Sequence, residues 1–167
     1  MKVYIASDHA GYRLKDFISK FLVMKNIAVE DLGPESEESV DYSDFAKKLC
    51  EAVLGSEDKG ILICGTGIGM SMSANRVPGI RAALCFNTTM AHFAKAHNDA
   101  NVLCLGDRII GKEVAKDIVD VFLNVEFEYG RHKRRVEKIE SMKEIGAFVC
   151  SNQNIDAKNQ LLDQDTY

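Results

Sequence analysis

Gly60-Ile61-Leu62-Ile63-Cys64-Gly65-Thr66-Gly67-Ile68-Gly69-Met70-Ser71 is the stretch that decides how this chain is read. Ile61 to Ile63 form a short β-branched and apolar run, the composition of a buried strand. The strand ends on a cysteine, glycines follow at 65, 67 and 69, and a helix-compatible stretch, Met70 to Asn75, begins at once. Such a turn presents backbone N–H groups at a helix N-terminus, where negative charge is favoured. It also sets the thiol of Cys64 at the rim of that anion site, a sulfur base beside a hole for an oxyanion. The spacing is not that of a nucleotide loop. G-x-G-x-x-G needs its third glycine one residue later, and a Walker loop needs a lysine that is absent between Lys59 and the end of the loop. A tight strand-to-helix turn whose glycines serve only close packing fits the same residues equally well.

Outward from this loop the pattern alternates. Strands are expected at Lys2–Ala6, Ile27–Asp31, Gly60–Cys64, Arg81–Cys85 and Val102–Leu105. Helices are expected at Tyr12–Met24, Tyr42–Leu54, Met70–Asn75, Thr88–His97, Gly111–Leu123 and Arg131–Glu144. Apolar residues recur at helical spacing in the long ones: Leu14, Phe17, Ile18, Phe21 and Leu22; Phe45, Leu49 and Val53; Val114, Ile118, Val121 and Phe122. Pro78-Gly79 closes the third helix. The alternation predicts an α/β fold, a three-layer α/β/α Rossmann-like sandwich on a five-stranded parallel sheet, with a C-terminal helix and a polar tail. One domain spans residues 1–146; residues 147–167 are a tail that turns strongly polar from Ser151.

The 167 residues are 46% hydrophobic, enough for a core, and no window approaches the roughly 18 apolar residues of a membrane span. Met1 to Ile5 run straight into the first strand, so no signal peptide is expected. A net charge of −4 argues against general nucleic-acid binding. Five cysteines, at 50, 64, 85, 104 and 150, form no C-x-x-C pair, which fits reduced thiols in the cytoplasm rather than a disulfide framework or a zinc site. Cys85 and Cys104 lie in apolar runs and read as core. Between Asn26 and Ala46 there are seven acids and no Lys or Arg, whereas residues 131–135 read Arg-His-Lys-Arg-Arg. A solvated face explains either run by itself.

Open parallel sheets bind ligands beyond the carboxyl ends of their strands, where strand order reverses. That edge gathers Asp8 and His9 after the first strand, Cys64 and Thr66 after the third, and Arg108 after the fifth. Asp8 reads equally as a helix N-cap. His97-Asn98 ends a crossover helix, which runs antiparallel to its strands for roughly 15 Å at 1.5 Å per residue, so His97 belongs at the edge opposite Cys64. A catalytic His97 would then serve a neighbouring subunit; a histidine complementing its helix dipole is the plainer reading. Arg131 and Arg135 share a helix face and suit phosphate. No metal is expected: His92 and His97 splay on their helix, and His9 and His132 show no acidic or cysteine partner at ligand spacing.

Taken together these segments resemble the ribose-5-phosphate isomerase B family, within the wider group that includes galactose-6-phosphate and allose-6-phosphate isomerases. The resemblance spans roughly residues 2–144. It rests on Ser-Asp-His-Ala-Gly (7–11), Asp-Tyr (41–42), Cys-Gly-Thr-Gly-Ile-Gly-Met-Ser (64–71), Ala-Asn-Arg (74–76), Gly-Ile-Arg-Ala (79–82), His-Asn-Asp-Ala-Asn-Val-Leu (97–103) and Gly-Arg-His-x-x-Arg-Val (130–136, with Lys133 and Arg134 as the variable pair). It implies interconversion of ribose 5-phosphate and ribulose 5-phosphate through an enediol(ate), a step of the pentose phosphate pathway. Cys64 would be the base, with the amides of Gly65, Thr66, Gly67, Ile68 and Gly69 holding the enediolate oxygen and Thr66 assisting near the sugar. His97 would open the furanose ring. Asn98 and Asp8 would bind sugar hydroxyls, Asp8 also helping the ring open, with Tyr42 and Arg108 as further substrate contacts. His9, Arg131 and Arg135 would hold the phosphate. Some members carry a glutamate just after the loop in place of the cysteine; Met70 at that position makes this chain the cysteine type. The resemblance implies no cofactor, since proton transfer and electrostatics suffice, and a homodimer or dimer of dimers with active sites shared between subunits. An isomerase of a six-carbon sugar phosphate and a non-catalytic flavodoxin-like binding module stay as alternatives.

Overall fold

Period-two alternation in the central strands builds the layers of this protein. The computed structural model describes residues 1–142. Strands β1 (Lys2–Ser7), β2 (Ala28–Asp31), β3 (Lys59–Cys64), β4 (Ala82–Leu84) and β5 (Val102–Gly106) form one parallel sheet in the order β2-β1-β3-β5-β4. The helices are α1 (Tyr12–Met24), α2 (Tyr42–Val53), α3 (Ile68–Ala74), α4 (Thr88–Ala96), α5 (Lys112–Asn124) and α6 (Gly130–Glu140). Val3, Ile5, Ile61, Ile63, Leu103 and Leu105 pack with α1, α4 and α5, through Leu14, Ile18, Ala91, Ile118 and Phe122. The intervening residues, Ala6, Leu62, Cys64, Val102 and Cys104, pack with α2 and α3 through Leu49, Val53, Met70 and Ala74. The sheet is thus buried on both faces, as a parallel sheet requires.

The expected five-strand, three-layer fold is therefore present, with shifts at element ends. Helix α3 starts at Ile68 rather than Met70, because Gly67, at φ 78°, makes the left-handed turn that opens it. Strand β4 is only Ala82–Leu84, because the Arg81 N–H leaves the ladder and donates to the Asn101 side-chain carbonyl at 2.8 Å. Helix α6 is described to Glu140; its expected extension to Glu144 and the tail at 147–167 lie outside the described residues.

Strand order reverses beside β1. The chain steps outward from β1 to β2 and then crosses back to β3 on the other flank of β1. The loops after β1 and β3 therefore share the switch-point crevice. They are held together closely. The Asp8 N–H donates to the Ile63 carbonyl at 3.1 Å, and a Cβ on Gly11 would stand 2.5 Å from that same carbonyl oxygen. Only hydrogen fits there, and the neighbour is backbone of the central strand. Gly11→Ala is expected to lower stability by about 1–3 kcal/mol, the cost of overpacking, and to prise the Asp8 loop from Cys64. Denaturant unfolding measures the first effect; an unchanged midpoint contradicts the packing argument.

Candidate active site

The carboxyl edge is built around Cys64, buried at the end of β3. Its Sγ accepts the Gly67 N–H at 3.0 Å, and Thr66 Oγ1 accepts the Ile68 N–H at 3.3 Å. Two of the five amides expected to cradle an oxyanion, those of Gly67 and Ile68, are thus engaged within the loop. Close packing fixes the loop. A Cβ on Gly67 would meet Leu84 Cδ1 at 2.4 Å, and one on Gly106 would meet the Thr66 carbonyl oxygen at 2.6 Å. The close-packing reading of the glycines is therefore met, and the same tight turn places the sulfur.

Other predicted residues gather on this loop. The Arg108 N–H donates to the Gly65 carbonyl at 3.0 Å, and its side chain lies over Gly65, with Nε 3.3 Å from where a Cβ would be. The Tyr42 ring, on the first residue of α2, lies against Gly69 at 2.9 Å from that glycine's Cβ position. Asp8 is buried and caps the short 3-10 turn His9–Gly11, its Oδ1 accepting the Gly11 N–H at 2.9 Å. Asp8 is thus an N-cap within the crevice. His9 Nδ1 accepts the Val40 N–H at 3.4 Å, which leaves Nε2 to carry the ring proton of the neutral imidazole.

His97, Asn98, Arg131 and Arg135 gather at the other edge. Helix α4 runs back from the carboxyl end of β4, and His97 is its C-cap. Its ring stacks on His132 at 4.1 Å with 8° between planes and touches Phe93 at 4.6 Å. Arg131 and Arg135 are exposed and flank the buried His132 and Val136 on α6. Asn98 is exposed on the turn after α4. That turn is locked from beneath: Arg81 Nε donates to the Asp99 carbonyl at 2.8 Å, and its two Nη atoms pair with Asp99 at 2.9 Å and Glu140 at 2.8 Å.

Glu128 overturns the expectation that His132 lacks an acidic partner. Its Oε2 lies 3.5 Å from His97 Nε2 and 3.9 Å from His132 Nε2. Tyr129 at φ 53° and Gly130 at φ 51° turn the chain into α6 and swing Glu128 beside the two rings. The four-residue spacing from Glu128 to His132 was legible, but Glu128 precedes the helix, so no helix-face argument reached it. These three residues bring ligand-type atoms within 4.8 Å of one another. They do not suit a metal ion, for an ion cannot lie in the plane of two rings stacked nearly parallel. Arg131 Nε also donates to His132 Nε2 at 3.3 Å, adding a cation where a metal would sit.

Burial raises the thiols of the other three described cysteines. It pushes the Cys50 thiol up to about 11, with a small contribution from Glu51, and the Cys85 thiol up to about 12. Cys104, fully enclosed, is raised well above the usual thiol value by burial and, after that, by its neighbouring thiols. None of these three can act as a base near neutral pH.

A family model described as Ribose/Galactose Isomerase matches residues 3–139. The chain belongs to this family. Among curated members of the ribose/galactose isomerases, ribose-5-phosphate isomerase B of Escherichia coli K12 is 44% identical over 144 residues, covering 86% of this chain and 97% of that protein. Among solved structures, Clostridium thermocellum ribose-5-phosphate isomerase B superposes with a TM-score of 0.85 at 51% identity, covering 87% of this chain and 99% of that one. The Mycoplasma genitalium ribose-5-phosphate isomerase B, solved with bound ribulose-5-phosphate, has a TM-score of 0.82 at 44% identity, covering 86% and 96%. Family membership removes the flavodoxin-like alternative.

The cluster at His132 has a pH signature. Burial, then His97, Arg131 and Arg135, push its imidazole below the ordinary value of 6.5, against a smaller upward pull from Glu128. The unfolded chain therefore takes up this proton first. Stability is lost as pH falls through about 6.5, and the penalty is absent well above it. The fall in thermal midpoint between about pH 7.5 and about pH 5.5 is expected to be shallower in His132→Gln. Parallel slopes contradict the assignment.

Proposed function

We propose that this chain is a ribose-5-phosphate isomerase that moves a proton between C1 and C2 of the open-chain sugar phosphate, with Cys64 as the base. The observation that carries the reading is the buried cysteine at the end of β3, in the switch-point crevice, with a glycine loop folded around its sulfur. Named relatives act on the five-carbon sugar, one of them with ribulose-5-phosphate bound, which favours this substrate over a six-carbon phosphate.

Ring opening comes first. The anomeric hydroxyl loses its proton to the Asp8 carboxylate, C1=O forms as the bond from C1 to the ring oxygen breaks, and His97 gives that oxygen its proton. Cys64 thiolate then takes the proton from C2. The charge passes to the carbonyl oxygen as an enediolate, which backbone N–H groups of the loop and of the start of α3 stabilise. A proton passes from O2 to O1, the proton held on sulfur is delivered to C1, C2=O forms, and Cys64 is again a thiolate. His9 Nε2–H, Arg108, Arg131 and Arg135 bind the phosphate by charge-assisted bonds, while Tyr42, Thr66 and Asn98 contact the sugar. No step needs a cofactor.

Cys64 and His97 belong to opposite edges of one sheet, so the working site takes His97 from a second copy. Met90 and Phe93 of α4 are exposed, as are Ile139 and Met142, around a cavity of about 830 Å³ beside edge strand β4. An apolar patch of this kind calls for a partner, and the helix that presents it also ends in His97. A second copy of this chain in isologous two-fold contact is the occupant we assign, in a homodimer or a dimer of dimers. The four described cysteines are free, which supports a reducing compartment, the cytoplasm. No described helix is long and apolar enough to cross a membrane.

Deuterium exchange separates the two chemical roles. Ribulose 5-phosphate is open-chain, so exchange of its C1 proton with solvent needs the base but not the ring-opening acid. In D2O, Cys64→Ala is expected to lose both isomerisation and C1 exchange. His97→Ala is expected to lose isomerisation of ribose 5-phosphate by about 10²–10⁴-fold, the usual scale of general acid catalysis, while keeping C1 exchange. Exchange that survives in Cys64→Ala contradicts the base assignment.

A further inference from the structure

Glu128 is fixed to the same turn that presents His97. Its N–H donates to the Ala96 carbonyl at 2.9 Å, one residue before His97, while its carboxylate reaches the His97 ring. The turn is braced on its far side by Arg81 and Asp99. Two imidazoles compete for the carboxylate, and the geometry decides between them. Arg131 Nε donates to His132 Nε2, so that nitrogen is an acceptor and has no proton to offer Glu128. His97 Nε2 is also the nearer, at 3.5 Å against 3.9 Å. The stacked His132 ring closes one face of His97, and Phe93 packs on it as well. The charged and titratable groups around His97 are thus Glu128 ahead of α6, His132 on α6 and, behind it, Arg131 and Arg135. On α4, Lys95 is committed to Asp99 at 3.1 Å.

We infer that Glu128 is a positioning residue for His97: its carboxylate takes the Nε2–H, aligns the ring and leaves Nδ1 as the atom that exchanges a proton with the substrate. This rests on the reading of His97 as the ring-opening acid. The consequence is specific. With Nε2–H held by a carboxylate, donation to the ring oxygen comes from Nδ1 of the imidazolium, and the neutral ring that remains still carries its Nε2 proton. The proton moves once, from Nδ1 to oxygen, and Glu128 stays ionised throughout. The 3.5 Å separation is an ion-pair contact longer than a tight hydrogen bond, as such contacts often are before substrate binds.

The test uses the full-length protein with Glu128→Gln, Glu128→Asp, His97→Ala and the double variant Glu128→Gln/His97→Ala. Glu128→Gln keeps the backbone tether to Ala96. It is expected to lower kcat for ribose 5-phosphate about tenfold, with KM within about twofold, a fraction of the general-acid effect. Because a carboxylate favours the imidazolium, its loss moves the alkaline limb of the kcat–pH profile to lower pH. C1 exchange of ribulose 5-phosphate in D2O stays unchanged, Glu128→Asp recovers part of the rate, and the double variant is no slower than His97→Ala. A rate loss with an unmoved pH profile, or an equal further loss in the His97→Ala background, overturns the proposal and assigns Glu128 to packing alone. Full turnover in His97→Ala instead overturns the ring-opening reading, and Glu128 falls with it.

Discussion

One constraint of chain direction governs this molecule. In a parallel sheet every crossover helix runs back against its strands, so a residue at a strand's carboxyl end and one at a helix's carboxyl end lie at opposite edges. Cys64 ends β3 and His97 caps α4. Covalent topology alone keeps them apart within one chain, and no side-chain rotation reverses that. The residues we propose as acid, base and phosphate ligands are accordingly divided between two surfaces. Asp8, His9, Thr66 and Arg108 stand with the sulfur, while Asn98, Arg131 and Arg135 stand with the imidazole.

Each half is made rigid in its own way. At the carboxyl edge rigidity comes from missing side chains: Gly11, Gly67 and Gly106 let backbone approach backbone at distances a Cβ would forbid. The amides are then oriented before any ligand arrives, which is where electrostatic stabilisation of an enediolate is worth most. At the amino edge rigidity comes from charge. Arg81 joins Asp99 to Glu140, Lys95 also pairs with Asp99, and the Glu128 carboxylate lies beside the stacked imidazoles, nearer to His97. Lys95 and Arg81 are largely shielded from water, so removing one partner would strand a desolvated charge. In the proposed mechanism the two halves serve different steps, a carbon-bound proton at one edge and a ring oxygen at the other.

The fold was legible because its signals are short-range. Alternation in β1, β3 and β5 and helical spacing in α1, α2 and α5 follow from burial of one face, and the loop glycines marked the switch point. The carboxyl edge was legible for the same reason, since residues just past strand ends can be counted off. The amino-edge cluster was not. Glu128 reaches His97 through a turn made by Tyr129 and Gly130 at positive φ, and a tyrosine does not announce that conformation. Arg81 gave no sign that it clasps Asp99, on the turn after α4, and Glu140, on α6, contacts that arise only from the tertiary fold. The dual nature of Asp8, a cap and a crevice residue together, also emerged only once Gly11 was seen pressed on Ile63.

Mixing two inactive variants tests the divided site most directly. Cys64→Ala lacks the base and His97→Ala lacks the acid. If the site joins Cys64 of one chain to His97 of another, a mixed dimer carries one site with both defects and one with neither. After verified subunit exchange at equal concentrations, activity is expected to return to about a quarter of wild type, since half the dimers are mixed and one of their two sites is intact under isologous pairing. A mixture that stays as inactive as its components contradicts the account, because His97 would then serve its own chain or take no part in the reaction.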